Sequence, residues 1–448
     1  MFLKIDIILA CGHRWMQKKL NVLLISFDDA INPWPYLTAF KEPIQIPNLQ
    51  RIAEQSTLFE AAYSQASVCG PSRASLMTGR STHQLGVHGN EDDIFKLHDP
   101  RIVWPYTLKK HGYYCSSGGK VHHGFIKLDP AVHAILYDDD HKFFARDRNI
   151  PLYAETTHFG GVQKGIATVH PEDDEKFHDA RAAQSAIDFI ENYDADQPFY
   201  REVGFYSPHG PFYTPARFKE MYRVPQITRP MAWDEEYEKT EYSETTFPPK
   251  YTFAQKNRLW KQSVRNYFSA YSHGDYHLGR VWDALKNSKH ADNTLVIFFS
   301  DHGFHLGNLD RFMKSTLWEQ VASIPLIIHD PRRKDAQSII DPVGLIDIGP
   351  TVLDMLDLPP IDETMGQSLT GLMNGDRNPD RAIPTFFYND VAIRKGRYRM
   401  IRYRDGSTQM YDLENDYWQV RNLGNEHPEY SHMFSALQQT SAAYGFKF

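Results

Sequence analysis

The chain has 448 residues, 41% of them hydrophobic and 13% aromatic, which exceeds what one growing core absorbs and points to a large domain with a smaller companion. Its formal net charge is -7, so there is no basic footprint for nucleic acid, and an anionic ligand has to be drawn in by local cations. Three cysteines, Cys11, Cys69 and Cys115, exclude a disulfide framework, and no run of about 18 apolar residues offers a membrane span.

Residues 1–20 carry two readings. Ile5 to Cys11 (IDIILAC) has the look of the lipid-attachment end of a bacterial lipoprotein signal, but it is short and holds Asp6. Met16 is an equal candidate start, from which the chain enters its first strand almost at once, as a cytoplasmic protein does. The cytoplasmic form is the expectation, ahead of a periplasmic lipoprotein. Asn21 to Phe27 (NVLLISF) is a continuous branched apolar run, the pattern of a central parallel strand buried on both faces. It ends in Asp28-Asp29. An isolated acidic pair is usually a helix-capping turn. At the carboxyl end of a parallel strand, where α/β sheets bind ligands, two adjacent carboxylates call for a cation.

Ser67 to Arg80 (SVCGPSRASLMTGR) reads as a polar turn entering a short helix, with Pro71 in the first turn and Gly79 placed to end it in a left-handed conformation. Cys69 then lies at a helix N-terminus that favours an anion, with the fixed charge of Arg73 one turn on. Alone, such a cysteine is ordinarily a buried structural residue. Gly118 to Gly124 (GGKVHHG) is a glycine-flanked strand end or loop carrying Lys120, His122 and His123. Residues 141–170 are polar without a period and read as a rim loop of the kind that carries substrate contacts. Glu175 to Tyr193 has helical spacing through Phe177, Ala180, Ala183, Ile187 and Ile190. A strand from Pro198 to Tyr206 leads to His209, which Pro208 and Pro211 hold rigidly, as general acid chemistry needs.

Four prolines make 224–250 a long irregular insertion, and a helix follows from Ala254 to Asn287 with a break expected near Gly274. Thr294 to Ser300 (TLVIFFS) is a second buried strand, and it ends in Asp301-His302-Gly303. Asp28, Asp29, Asp301 and His302, brought to neighbouring strand ends, make a hard, oxygen-rich site suited to Ca²⁺ or Mg²⁺. Lys314 reads as surface charge. Ile324 to His329 is a further buried strand, and Asp347 is placed to cap a helix ending near Leu356. Beyond a polar turn cluster at Gly375 to Pro379 come short alternating strands at 391–394, 398–403 and 409–411, with a hairpin signal at Asp405-Gly406. The expected fold is α/β. An N-terminal segment 1–20 precedes a large, mostly parallel sheet flanked by helices in 21–375, and a small α+β subdomain with an antiparallel sheet occupies 376–448.

The string C-x-P-S-R at Cys69, followed by S-x-x-T-G-R, resembles the signature of the type I, formylglycine-dependent sulfatases of the alkaline phosphatase superfamily. Asp28-Asp29, Ser300-Asp301-His302-Gly303, Gly119-Lys120-Val121 with His122 and His123, Pro208-His209-Gly210-Pro211-Phe212 and Tyr411-Asp412-Leu413 resemble further motifs of that family. The resemblance runs from Asn21 to about Leu423 and is closest in style to iduronate-2-sulfatase-like members. It implies that a formylglycine-generating maturation enzyme converts Cys69, and that residue 69 with Asp28, Asp29, Asp301 and His302 holds Ca²⁺, with Mg²⁺ as the alternative. The hydrated aldehyde would attack sulfur, with Arg73, Lys120 and Lys314 offsetting negative charge and Lys120, His209 and Lys314 touching the substrate. His209 or Lys314 would serve the leaving oxygen. His122 or His123 would take the proton that releases sulfate, and the G-K-V start favours His123.

Two positions depart from the pattern: Ser207 stands where iduronate-2-sulfatase-like members have Lys, and Tyr417 stands where Pro is usual. The implied function is removal of sulfate from a sulfated carbohydrate, with loops 141–170 and 224–250 choosing the sugar. The alternatives are a choline-sulfatase-like enzyme and a hydrolase of phosphonate monoesters or phosphodiesters. A sulfated-glycan binding protein with a retired site is disfavoured, because no matching catalytic position has lost its functional group. If Cys69 is converted, Cys11 and Cys115 are the one pair left for a bridge.

Overall fold

The computed structural model describes residues 19–123, 127–140, 153–155, 165–168, 170–235, 237, 240–246 and 253–448. The candidate signal at Ile5 to Cys11, Met16 and most of 141–170 lie outside them. The strand Asn21–Asp28 is buried along its whole length. Its side chains alternate between two cores: Leu23, Ile25 and Phe27 enter one, Val22 and Leu24 the other. Burying these five residues contributes roughly 1.5–3 kcal/mol each relative to exposure, which is why a run with no polar face can only be a central strand.

The main sheet runs, in spatial order, Gln337–Ile339, Thr57–Tyr63, Ser323–His329, Thr294–Ser300, Asn21–Asp28, Phe199–Pro208, Tyr114–Gly119, with Val343–Gly344 also pairing the Thr57 strand. Ser323–His329 is antiparallel to both neighbours, and the other pairings are parallel. One face is covered by the helices His178–Asn192 and Phe253–Lys286. The other carries Cys69–Thr78, Trp104–Lys110 and Ile348–Met355. Four adjacent parallel strands therefore deliver Asp301, Asp28-Asp29, His209 and Lys120 to one edge of the sheet, at their carboxyl ends.

The helix after the 224–250 insertion does not break at Gly274; it is continuous over Phe253–Lys286. Gly274 instead permits close approach, since a Cβ there would lie 3.0 Å from the Phe27 ring and from Ser207 Cβ. Among the described residues the insertion itself forms two 3-10 turns, Val224–Gln226 and Met231–Asp234, and a short helix, Glu241–Thr246. The 141–170 stretch, read as irregular, includes the strands Tyr153–Glu155 and Gly165–Thr168, which form a small sheet with Phe212–Pro215. Asp347 is the N-cap residue of Ile348–Met355 but gives that helix no side-chain cap bond; its carboxylate instead accepts from Gly344 N, closing the turn before the helix, and from Gln367 N, and pairs with Arg381.

The C-terminal antiparallel sheet has four consecutive strands, Ala382–Phe387, Asp390–Lys395, Tyr398–Arg402 and Thr408–Asp412. The helix Tyr430–Ala443 packs Met433 and Leu437 on one face. Ala392, Ile401, Tyr403 and Tyr411 on the other face cover Leu309, Leu317 and Trp318. The first strand, which carries Pro384, and the last helix were not expected from the sequence.

Candidate active site

The helix Cys69–Thr78 starts at an extended Val68 and ends at a left-handed Gly79 with φ 68°. All ten of its residues are buried, and Cys69 is 1% exposed. Cys69 Sγ lies 2.9 Å from Lys314 Nζ, 3.3 Å from His302 Nε2 and 3.9 Å from Asp29 Oδ1. Burial pushes the thiol up, but Lys314 and Lys120 outweigh it and bring the group down to about 7. The residue thus sits where an anion is stabilised, as its helix N-terminal position requires.

Asp28, Cys69, Asp301 and His302 place ligand atoms within 4.8 Å of one another, and Asp28, Asp29, Cys69 and His209 form a second, overlapping group. Burial raises the pKa of each carboxyl, yet neighbouring cations dominate: Lys120 and His209 hold Asp28 far below the usual range, His209 and Lys314 hold Asp29 at about 2, and Arg73 lowers Asp301. Burial depresses His302, but Asp301 outweighs it and lifts the imidazole to about 9. Three buried carboxylates thus hold His302 and Lys314 in their protonated forms. His302 Nδ1 faces the Gly303 carbonyl at 2.9 Å, which leaves Nε2 aimed at the cluster. Asp28 Oδ1 is buried without a hydrogen-bond partner, and an orphaned buried carboxylate oxygen among such neighbours fits a hard divalent cation.

The cluster is built by backbone as much as by side chains. Asp29 adopts φ 64°, and its N–H donates to Asp301 Oδ1 at 3.1 Å. Tyr267 from the long helix donates to Asp29 O at 2.6 Å and accepts from Ile31 N, while Ser72 donates to Asp301 O at 2.5 Å. These two holders were not singled out in the sequence: Ser72 lies inside the C-x-P-S-R string, whereas Tyr267 looks like any core position of its helix.

Arg73 donates through Nε to Asp301 Oδ2 at 2.9 Å and through Nη1 to the Lys120 and Val121 carbonyls, each at 2.9 Å. Through Nη2 it also reaches the Phe27 carbonyl at 3.4 Å, so it clamps three strand ends, and it is 2% exposed. Lys120 pairs with Asp28. It is brought there by close backbone contact, since a Cβ on Gly204 would lie 1.9 Å from the Lys120 carbonyl oxygen. Lys314, read alone as surface charge, is largely buried and 2.5 Å from Asp29 Oδ1. The residues on either side of it, Met313 and Ser315, have φ of 83° and 70°, a left-handed backbone that side chains seldom adopt. Ser315 N donates to Ser67 O, tying this loop to the cysteine turn.

His209 Nε2 lies 3.8 Å from Asp29 Oδ2. The two adjacent histidines diverge. His122 Nε2 meets Tyr137 OH at 2.8 Å, and Tyr137 donates to buried Glu202. His123 is depressed to about 4, by burial first and then by Lys120 and Arg73, so it is neutral and lies within reach of the central charges. Both line a cavity of about 840 Å³ that reaches Gly70 and Arg73. Gly124, the last residue of that motif, lies outside the described residues, as does Cys11; Cys115 is a buried free cysteine. Among the described residues no helix is long and apolar enough to cross a membrane.

Residues 20–358 match the family model "Sulfatase", and residues 307–443 match "N-sulphoglucosamine sulphohydrolase, C-terminal". A sulfatase of Formosa agariphila is 30% identical over 423 residues, covering 89% of this chain and 82% of that protein. The iduronate 2-sulfatase of Homo sapiens is 26% identical over 437 residues, covering 86% and 74%. Among solved structures, BT4656 in complex with its substrate D-glucosamine-2-N,6-O-disulfate superposes with a TM-score of 0.71 at 19% identity, covering 95% of this chain and 98% of that one. With a family model spanning most of its length, and a fold that gathers the motif residues at one sheet edge, the chain belongs to the sulfatase family and is a sulfuric ester hydrolase.

Proposed function

We propose that this enzyme removes a terminal sulfate from a sulfated carbohydrate, with residue 69 as nucleophile after conversion of Cys69 to formylglycine. The observation that carries the reading is the position of Cys69 Sγ: it shares one buried cluster with Asp28, Asp301 and His302 and touches Lys314. Asp28, Asp29, Asp301 and His302 are the residues to hold a divalent cation, Ca²⁺ before Mg²⁺ given the oxygen-rich set. Bound there, the cation supplies Lewis acidity at the reacting oxygens. As a hydrated aldehyde, residue 69 supplies one hydroxyl to attack sulfur and a second whose deprotonation expels sulfate.

The remaining tasks fall to side chains. Lys120, Lys314 and Arg73 match the three carboxylates in charge, so that a bound cation leaves a net positive pocket for a sulfate monoanion. His123, neutral and close to Lys120, is the base for the second hydroxyl. His122, engaged with Tyr137, is the wall of the adjoining cavity. His209, which burial depresses but Asp29 and Asp28 raise more strongly, is the acid for the leaving oxygen. The carbohydrate assignment draws its support from the iduronate 2-sulfatase relative and from the neighbour whose substrate is a glucosamine disulfate.

The test has two parts. Protein co-produced with a formylglycine-generating enzyme should show residue 69 lighter than cysteine by about 18 Da, the mass change of that conversion. The same material is then screened on sulfated mono- and oligosaccharides beside choline sulfate. Full activity in protein whose Cys69 is unmodified refutes the nucleophile, and a far higher kcat/KM on choline sulfate than on every sugar refutes the substrate class.

A further inference from the structure

The strand that carries His209 is irregular just before it. From Ser26 to Asp28 the central strand advances two residues, while its partner advances four, from Gly204 to Pro208. A bulge of this kind releases backbone groups from the ladder and re-aims the chain beyond it. Two of the released amides are taken by one side chain. Tyr206 N donates to Asp179 Oδ1 at 2.6 Å and Ser207 N donates to Asp179 Oδ2 at 3.0 Å.

Asp179 lies in the first turn of the helix His178–Asn192, is 2% exposed and also faces His178 Nδ1 at 2.9 Å. A carboxylate there is favoured by the helix end and by three donors, so it is a firm anchor rather than a chance contact. From this anchor the chain turns directly onto the histidine: His209 N donates to Tyr206 O at 2.9 Å. The Tyr206 hydroxyl donates to Gly210 O at 2.5 Å and lies 3.1 Å from His209 Nδ1, which is itself 2.5 Å from that carbonyl. The ring is fixed at Nδ1, and Nε2 is left pointing at the cluster.

We infer that Asp179 and Tyr206 are positioning residues for His209, Asp179 fixing the bulged backbone and Tyr206 fixing the ring. This rests on the reading of His209 as the proton donor to the leaving oxygen. As the ionised hydroxyl oxygen of residue 69 bonds to sulfur, the bond from sulfur to the leaving oxygen breaks with its electron pair staying on that oxygen, the Nε2 proton passes to it, and a neutral alcohol, a neutral imidazole and a sulfate ester on residue 69 result. A misdirected ring fails at that transfer, and fails most when the leaving oxygen is basic.

The experiment compares kcat/KM on phenyl sulfate, whose leaving oxygen is the more basic, with 4-nitrophenyl sulfate, whose leaving group is stable as an anion. His209→Ala calibrates the effect. If it raises the nitrophenyl-to-phenyl ratio and Asp179→Asn and Tyr206→Phe each raise it by about tenfold, a fraction of what a general acid contributes, the positioning role stands. If His209→Ala raises the ratio but the other two lower both rates in parallel or leave them alone, the positioning role is wrong while the acid survives. If His209→Ala leaves the ratio unchanged, the acid assignment falls and this inference with it. Should Asp179→Asn fail to fold, Tyr206→Phe, which alters one half-buried hydroxyl, decides by the same ratio.

Discussion

Replacing Asp301 by Asn separates the two tasks that its carboxylate combines. Oδ1 accepts from Asp29 N and His302 N, at 3.1 and 3.0 Å, and an amide oxygen can keep both bonds. Oδ2 faces Arg73 Nε at 2.9 Å with neither side chain more than 2% exposed, and an amide NH₂ there sets donor against donor. Removing one partner of a buried ion pair costs about 3–5 kcal/mol. Arg73 keeps two carbonyl acceptors, so the low end, about 3 kcal/mol, is expected in metal-free protein. Against a total stability of about 5–15 kcal/mol, the variant should still fold.

On the proposed reading that Asp301 holds a cation, the second loss is linkage to it. Wild-type enzyme at a Ca²⁺ concentration of about 100 Kd gains about 2.7 kcal/mol, and a hundredfold weaker site gains only about 0.4 kcal/mol at the same concentration. Thermal midpoints of metal-stripped protein, read with and without Ca²⁺, should therefore rise clearly for the wild type and hardly at all for Asp301→Asn, whose turnover is lost. A variant whose midpoint climbs with Ca²⁺ as the wild type's does, or that turns over normally, would show that Asp301 does not hold the cation.

Three further outcomes are expected. His123→Ala should slow turnover by about 10²–10⁴-fold, with His122→Ala affecting mainly KM; the reverse pattern in steady-state kinetics would exchange their roles. Glu202, fully buried and lifted to about 7 by burial against its two tyrosine hydrogen bonds, binds its proton more tightly in the folded than in the unfolded chain. Its contribution is fully present below about pH 4.5 and is lost as pH rises through 7, on the order of 3 kcal/mol across the window. Denaturation of Glu202→Gln at several pH values should lack that component, and an unchanged pH profile would contradict the assignment. Gly204→Ala drives a Cβ into the Lys120 carbonyl, so a loss of about 3 kcal/mol or more in denaturant titration is expected; wild-type stability would mean the two strands lie farther apart.

The central strands were legible because a branched apolar run without polar alternation has one home, and the strand-end aspartates followed from it. The long helix was legible in extent, but Gly274 misled: a glycine in a helical pattern signals a break or a close approach with the same letter, and only Phe27 and Ser207 beside it tell which. Lys314 had no local signal, because its burial depends on a loop held by Ser67 and covered by the C-terminal sheet, contacts far apart in the chain. His122 and His123 are equivalent as letters and differ only through the groups that folding brings to them, Tyr137 to the one and Lys120 and Arg73 to the other. Asp179 was hidden for the same reason, since the amides it holds are freed by a bulge that no periodicity records.

The backbone at Asp29 also bears on how this site can vary. Asp28 closes an extended strand, whereas Asp29 has φ 64°, a conformation that costs most side chains about 1–2 kcal/mol and that Asn and Asp enter most readily after Gly. The two neighbouring aspartates, alike as chemical groups, are therefore unequal as positions under mutation. In a library randomised at both, Glu at 29 is penalised by reach and by backbone together, Gly relieves the backbone and forfeits the carboxylate, and Asn alone retains shape while surrendering charge. Variation tolerated at 28 should be broader in size, and that at 29 narrower, leaving an asymmetric pair of substitution profiles written by one dihedral angle.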